Sequence, residues 1–350
     1  MSKTRKIRNL PKVSIIILNH NGKHFLNRCL ASLKEIDYPP NLHEVILVDN
    51  SSSDDSVDFV KKHFPWVKVI SLDRNYGFGG GNNRGIRRAT GNYFAFLNND
   101  TKVMRRWLTE LVTASIENST PVCASKTLFM NDPSIVDYGG GKLTISGRGY
   151  STAFGKRNVE NVESPTYTGY PCAAAMLIRK DVFLKVGQFD EDYFACLDDT
   201  DLGWRTWLLG YTILYCPKSV VHHVGGGTTG RKRISHTKAF HGPKNSLMNI
   251  LKNLEFRNIL FGVILAFIYD FIEVISLMRV KDASCIKKRI KAYIWVIRNL
   301  RRILQKRYTV QQSRAVSDKW LYANKLMVSF KDALREHIRL GRLNLRFWKT

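Results

Sequence analysis

Acidic residues are scarce at both ends of this chain. Residues 1–12 carry five Lys/Arg and no acid, and residues 281–350 carry 19 Lys/Arg against four acids. These segments, +5 and +15, hold most of the formal net charge of +26, which leaves residues 13–280 near neutral. A near-neutral body with basic ends points to an anionic partner: phospholipid head groups, nucleic acid or a polyanionic acceptor. The six cysteines form no CxxC and have no His at zinc-finger spacing, which removes a structural zinc module and leaves free thiols in a reducing compartment. The apolar run Val13 to Leu18 is too short for the core of a secretory signal. No long apolar run is uninterrupted either. Ile259 to Met278 is broken by Asp270 and Glu273, each costing about 2.5–3.5 kcal/mol near a bilayer centre. The two acids lie three apart on one helical face, so an interfacial or protein-packed amphipathic helix fits better than a span. There is no GxxxxGK[ST]. A GxGxxG reading fails as well, because its sixth position is Asn82 counted from Gly77 and Arg84 counted from Gly79.

What is present suits a globular α/β protein. Hydrophobic residues make up 44% of the chain, enough for a packed core. Val13–Leu18 is a β-branched run of the kind buried in a parallel sheet. Lys23–Leu33 has helical spacing, Glu44–Val48 reads as the next strand, and Ser53 is placed to cap a helix through His63. Val67–Leu72 is a third strand, Gly80–Thr90 a helix and Tyr93–Leu97 a fourth strand. The βαβαβαβ order predicts a right-handed, doubly wound, mostly parallel sheet. Further on, Trp107–Glu117 and Asp199–Leu209 read as helices. Pro121–Met130 and Tyr170–Ile178 read as strands around a Gly-rich loop, Gly139 to Gly149, and Thr212–Tyr215 and Val220–His223 as short strands. After His236 only basic helical patterns follow. The expected division is a basic tail (1–12), a catalytic domain (13–240) and a helical basic region (241–350).

Polar residues gather where each of the first four strands ends, the edge at which open α/β sheets bind ligands. They are Asn19; Asp49-Asn50-Ser51; Asp73-Arg74-Asn75; and Asn98-Asn99-Asp100. Any one of these clusters is also an ordinary turn former. In the stretch from Asn75 to Gly85, glycines such as Gly77 let backbone approach a ligand. Asp100 offers a hard oxygen for Mg²⁺ or Mn²⁺, which would neutralise a departing diphosphate. His222 and His223 are candidate second ligands, and one at most points the right way, because neighbours on a strand face oppositely. In Asp198-Asp199-Thr200-Asp201, three acids open a helix. They either complement its dipole or raise one another's pKa to make a general base. Arg205 could pair with them or with phosphate.

These segments resemble family 2 glycosyltransferases of the GT-A fold, close to the rhamnosyltransferase-like members. The matching stretches are VSIIILNHNG (13–22), EVILVDNSSSDDS (44–56), NYGFGGGNNRGIRRATGNYFAFLNNDT (75–101), CAAAMLIRKDVFLKVGQFDEDYFACLDDTDLGWR (172–205) and VVHHVGGGTT (220–229). The resemblance implies that Asp49 reads the nucleotide base, with Asn19 and Asn75 near base and ribose. Asn50, Gly77, Asn83, Asn98 and Asn99 join them as substrate-binding candidates, with Asp201 and Arg205. Asn99-Asp100 stands where the family has its DxD-type metal motif, and only Asp100 is charged. His223 matches the histidine near diphosphate and metal. Asp198-Asp199 stands at the family's Glu-Asp pair, with Asp199 as catalytic base. The processive QxxRW is absent, the comparable stretch being Gly203-Trp204-Arg205-Thr206-Trp207, so one or a few sugars would be added.

The resulting expectation is an inverting, metal-dependent transfer from a nucleotide-diphosphate sugar, dTDP-rhamnose or a UDP-sugar, to a glycan or polyprenyl-linked acceptor. The enzyme would be cytoplasmic and peripheral at an anionic membrane surface. A nucleic-acid-binding protein is the rival from another class, prompted by Trp295, Tyr308, Trp320 and Phe347 among Lys/Arg. The same pattern suits membrane docking, helix packing or a homo-oligomer contact, and no nucleic acid is expected. A sugar nucleotidyltransferase would need a basic Gly-rich loop after the first strand, which Asn19-His20-Asn21-Gly22 does not supply.

Overall fold

The computed structural model describes residues 9–158, 164–225, 235–279, 281–329 and 331–335. The first eight residues of the basic tail, residues 226–229 of the last matching stretch and the C-terminal Phe347 lie outside the described residues. The first half runs β1 (Val13–Asn19), α1 (Lys23–Lys34), β2 (His43–Asp49), α2 (Ser56–His63), β3 (Lys68–Ser71), α3 (Gly77–Gly85), β4 (Tyr93–Asn98), β5 (Thr101–Val103) and α4 (Trp107–Glu117). Then come β6 (Val122–Phe129), β7 (Asp132–Tyr138), β8 (Gly141–Thr144), β9 (Gly149–Ser151), β10 (Thr166–Tyr167), β11 (Ala175–Arg179), α5 (Lys180–Lys185), α6 (Asp198–Leu208) and β12 (Ile213–His223). The C-terminal part is α7 (His236–Asn253), α8 (Phe256–Arg279), α9 (Ala283–Arg298), α10 (Leu300–Gln312), α11 (Asp318–Ala323) and β13 (Met327–Val328).

The main sheet has the order β10-β12-β6-β11-β4-β1-β2-β3. β3, β2, β1 and β4 are mutually parallel, β11 is antiparallel to both neighbours, and β12 is again parallel to β6. β1 is buried on both faces, which its unbroken apolar run requires. Its alternation divides the core. Val13, Ile15 and Ile17 pack with Leu26 and Leu30 of α1 and Leu108 of α4, whereas Ile16 faces the cluster with Phe94, Phe183 and Trp204. Parallel strands end together, so Asn19, Asp49 and Asn98 reach one edge.

Several local expectations are corrected. Ser53 does not cap α2, which starts at Ser56 with Asp55 at its N-cap, because the N–H and hydroxyl of Ser53 both donate to Asn21 Oδ1 in the loop after β1. α3 begins at Gly77, three residues earlier than expected, and a 3₁₀ turn replaces its end. The Gly139–Gly149 stretch is a strand pair, β8 and β9, and not a loop. β11 begins at Ala175 instead of Tyr170, because Ala175 N–H closes a turn on the Cys172 carbonyl. The two strands expected at 212–223 are one, β12, with its register shifted between Cys216 and Val220 around Pro217. The helical region also contributes a strand, β13, parallel to β8.

α7 fastens the helical region to the loop before α6. Asn245 Nδ2 donates to the carbonyls of Tyr193, Ala195 and Cys196, and Asn249 Nδ2 donates to Gly147 O. Asp270 and Glu273, which interrupt the apolar α8, are buried and bonded to Arg289 of α9. The acids thus face protein, and the opposite arc of α8 is exposed.

Candidate active site

A cavity of about 530 Å³ opens over the carboxyl ends of β1, β2 and β4. Asn50, Asn75, Gly77, Asn98, Asn99, Asp100, Asp198, Asp199 and His223 line it. Asn50 and Asn75 form one wall: Asn50 Nδ2 donates to Asn75 Oδ1 at 2.9 Å, and Asn50 Oδ1 accepts from Tyr76 N–H at 2.9 Å. Gly77 has φ +71°, and a Cβ there would come within 2.4 Å of the Phe194 carbonyl, so no other residue fits without displacing the opposite wall. Asn19 and Asp49 are buried just behind the lining. Asn19 Nδ2 donates to Asp49 Oδ1 at 3.3 Å and its Oδ1 accepts from Asn99 Nδ2 at 2.7 Å, while Asp49 Oδ2 accepts from Ser52 N–H.

The second wall joins β12 to the turn after β4. His223 Nε2 lies 3.2 Å from Asp100 Oδ1, and its Nδ1 lies 2.8 Å from Asp137 Oδ2 on β7. Burial alone would lower the imidazole pKa, but the Asp100 and Asp137 carboxylates outweigh it and hold it well above the ordinary value. His222, one residue earlier on the strand, belongs to the other face. Its pKa is lowered by burial and by nearby Lys102. The donor set suits a divalent cation: one carboxylate oxygen and one imidazole nitrogen side by side, with a second carboxylate on the far ring nitrogen to fix its orientation. Asp100 and His223 would hold the ion, which would supply positive charge for a departing diphosphate.

The third wall is the loop into α6. Phe194, Cys196 and Leu197 all adopt left-handed backbone, with φ of 63°, 69° and 61°. Such strain persists only where surroundings impose it, and here Asn245 ties down the loop carbonyls. Asp198 is buried with Oδ1 lacking a hydrogen-bond partner among the described residues. Burial first, then the charge of Asp199, raises its carboxyl pKa well above normal. Asp199 is raised by burial and partly offset by the N–H groups of Ala173 and Thr200, which donate to its two oxygens at 3.3 and 2.7 Å. Two adjacent carboxyls in one wall are therefore held differently, Asp199 with a backbone donor on each oxygen and Asp198 with one oxygen that has none.

Three candidates lie elsewhere. Arg205 is buried against Asp201 at 2.7 Å and donates to the carbonyls of Val186 and Gln188. Asp201 also meets Lys252 of α7 at 2.7 Å. Asn83 donates to the Phe189 carbonyl. None of the three lines the cavity, because each is consumed in fastening α6 or the loop before it. Conversely, His20, Cys172 to Ala174, Phe194 to Leu197 and Thr237 line the cavity without having been singled out. Asp137 was missed too. It stands 86 residues from His223, on a strand that no local pattern announced.

Residues 14–186 match the sequence model described as glycosyl transferase family 2. The chain carries a family 2 glycosyltransferase domain. Over 255 residues this glycosyltransferase is 26% identical to the N-acetylglucosaminyl-diphospho-decaprenol L-rhamnosyltransferase of Mycobacterium tuberculosis, covering 65% of the chain and 80% of the relative. Its fold is similar to that of GalNAc-T7, solved with UDP, GalNAc and Mn²⁺. The TM-score is 0.56 and the identity 19%, over 70% of this chain and 48% of that one. It is also similar to the mannosyltransferase PcManGT of Pyrobaculum calidifontis, solved with GDP-Man and Mn²⁺. There the TM-score is 0.53 and the identity 15%, over 89% and 88% of the two chains. The fold is GT-A, with a helical C-terminal region, and the enzyme is rhamnosyltransferase-like.

Proposed function

We propose that this enzyme moves one sugar, with inversion, from a nucleotide-diphosphate sugar to a saccharide carried on a polyprenyl diphosphate, at the cytoplasmic face of a membrane. The carrying observation is that one cavity has the Asp100–His223 pair on one wall and the Asp198–Asp199 pair on another. The M. tuberculosis relative, named for a diphospho-decaprenol acceptor and rhamnose, supports the acceptor class and rhamnose as the sugar moved; dTDP-rhamnose and a UDP-sugar are the donors to test. Residues 13–240 form the catalytic domain and 241–350 the helical region.

The roles follow from position. Asp49 and Asn19, with Asn50, Asn75 and Gly77, form the strand-end cradle for base and ribose. Asn98 and Asn99 lie beside the diphosphate, and Asp100 with His223 would hold Mg²⁺ or Mn²⁺. Asp199 is the general base. Its raised pKa keeps it a competent proton acceptor, and its two backbone donors fix its aim. It takes the proton of the acceptor hydroxyl as that oxygen attacks the anomeric carbon from the face opposite the leaving diphosphate. Asp198, buried with Oδ1 lacking a partner among the described residues, has its carboxyl pKa raised by burial and by Asp199, which favours the uncharged form beside the base.

Two measurements test this. Titration with UDP-, dTDP- and GDP-sugars, with and without Mn²⁺, is expected to give cation-assisted binding of one nucleotide class. Asp199→Asn is expected to lower transfer by about 10²-fold or more while nucleotide-sugar affinity stays within about twofold. Transfer at the wild-type rate in that variant would remove Asp199 as base.

A further inference from the structure

The outer arc of α8 is apolar along its whole length. Phe256, Leu260, Ile264, Phe267, Phe271 and Met278 are all exposed, Leu260 to 72% and Phe271 to 66%. α9 continues the surface with Ile290, Ile294 and Ile297, spaced four and three apart on one helical face, and Ile297 is 72% exposed. Lys287, Lys291 and Arg298, spaced four and seven apart, run as an exposed basic stripe directly beside those isoleucines. Leu300, Leu304 and Tyr308 extend the apolar face onto α10, with Arg301 and Arg302 exposed next to them. Soluble surfaces rarely carry so continuous an apolar face, and a basic margin along one is the signature of docking on anionic lipid.

α8 is long enough to cross a bilayer, and its most apolar 18-residue stretch has a mean hydropathy of 2.2. Its inner arc forbids that. Asp270 and Glu273 are bonded to Arg289, and Arg148 of the catalytic domain stands 3.5 Å from Asp270 and 3.8 Å from Glu273. A Cβ on Gly262 would lie 2.7 Å from the Ile145 carbonyl, so the helix rests on the domain at that point as well. A spanning α8 would drag these ion pairs and part of the sheet domain into hydrocarbon.

We infer that α8, α9 and α10 form a monotopic docking face that lies in the plane of an anionic bilayer, apolar side chains in the acyl boundary and the α9 stripe at the phosphates. The far end of the face leads to the active site. Leu277 of α8 packs on Ala239 in the first turns of α7, and Thr237, two residues before, lines the cavity. If the lipid-linked acceptor proposed above is correct, this arrangement brings its sugar to Asp199 while its polyprenyl chain stays in the membrane.

The test is flotation of the full-length protein with vesicles of phosphatidylcholine alone and of phosphatidylcholine with phosphatidylglycerol, with no donor or acceptor present. Wild type is expected to float with the anionic vesicles and much less with the neutral ones. Leu260→Glu/Phe271→Glu, at two exposed positions, is expected to lose about tenfold or more of that partition. Lys287→Glu/Lys291→Glu is expected to lose the preference for anionic lipid. Nucleotide-sugar binding, measured on the same proteins, should be unchanged, and its loss in wild type would strike the catalytic reading without touching this one. Wild type that stays unbound to both vesicle types overturns the inference. So does a dimer in light scattering that Leu260→Glu/Phe271→Glu dissolves, since that assigns the face to a second copy of the chain.

Discussion

Asp198 and Asp199 share a wall yet are held in opposite ways. Asp199 receives two backbone N–H groups, and Asp198 has an oxygen with none. A carboxyl with a raised folded-state pKa binds its proton more tightly folded than unfolded. Its contribution to stability is therefore complete below the unfolded value of about 3.9 and is lost as pH rises through the folded value. Asp198→Asn keeps the shape and removes the titration. It is expected to melt about 2 °C or more above wild type near pH 8, with the difference vanishing toward about pH 4. Thermal unfolding across that range checks it, and a variant that melts below wild type near pH 8 would mean the charged form is stabilised by a partner. At this scale the sequence displayed the strand-end polar clusters and the acid pair, because each is local. It did not display Asp137 behind His223, or the commitment of Arg205 to Asp201 and two carbonyls. Those depend on which strands become neighbours and which helix face turns inward.

At the scale of elements, the interface of α7 with the β8–β9 turn shows why glycine content misleads. Gly147 closes that turn with φ +77°, and a Cβ there would stand 2.1 Å from the Ser246 carbonyl of α7. Ser246 Oγ donates to Ser146 O at 2.5 Å, and Asn249 Nδ2 donates to Gly147 O at 2.8 Å, so the helix is seated on the turn backbone itself. Read from sequence as a Gly-rich loop, the stretch is in fact two strands whose glycines allow close approach by Tyr170 and α7. Gly147→Ala is expected to cost about 2 kcal/mol or more. Because α7 also holds the carbonyls of Tyr193, Ala195 and Cys196, the same change is expected to weaken nucleotide-sugar binding. Gly242→Ala, within α7, meets nothing within 4 Å and is expected to be neutral or mildly stabilising. Denaturant titration of the pair checks both, and equal stabilities would refute this account of the α7 seat.

At the scale of the whole molecule, the question is whether the basic helices are an appendage or part of one folding unit. The βαβ half was legible because continuous apolar runs of strand length alternate there with segments of helical spacing. The helical half was legible only as helices, since the contacts that tie it to the sheet domain join residues far apart in the chain, as Asn249 to Gly147 and Lys306 to Asp190 do. One such contact decides the matter. Lys252 of α7 is 2% exposed at its side chain and lies 2.7 Å from both Asp190 and Asp201. Lys306 of α10 bonds to Asp190 and Asp192, and Arg205 completes the cluster on Asp201. This buried network joins α6, α7, α10 and the loop that carries the left-handed residues of the cavity. Removing one cation leaves two buried carboxylates undercompensated, so Lys252→Ala is expected to cost roughly 3–5 kcal/mol. Wild type is expected to unfold in a single calorimetric transition in which near-UV signals from Trp204 in the catalytic part and Trp295 in the helices disappear together. In Lys252→Ala that one transition should move down in temperature without dividing. A separate, earlier melting of the helices in wild type would make them an independent domain, and the network a mere surface of contact.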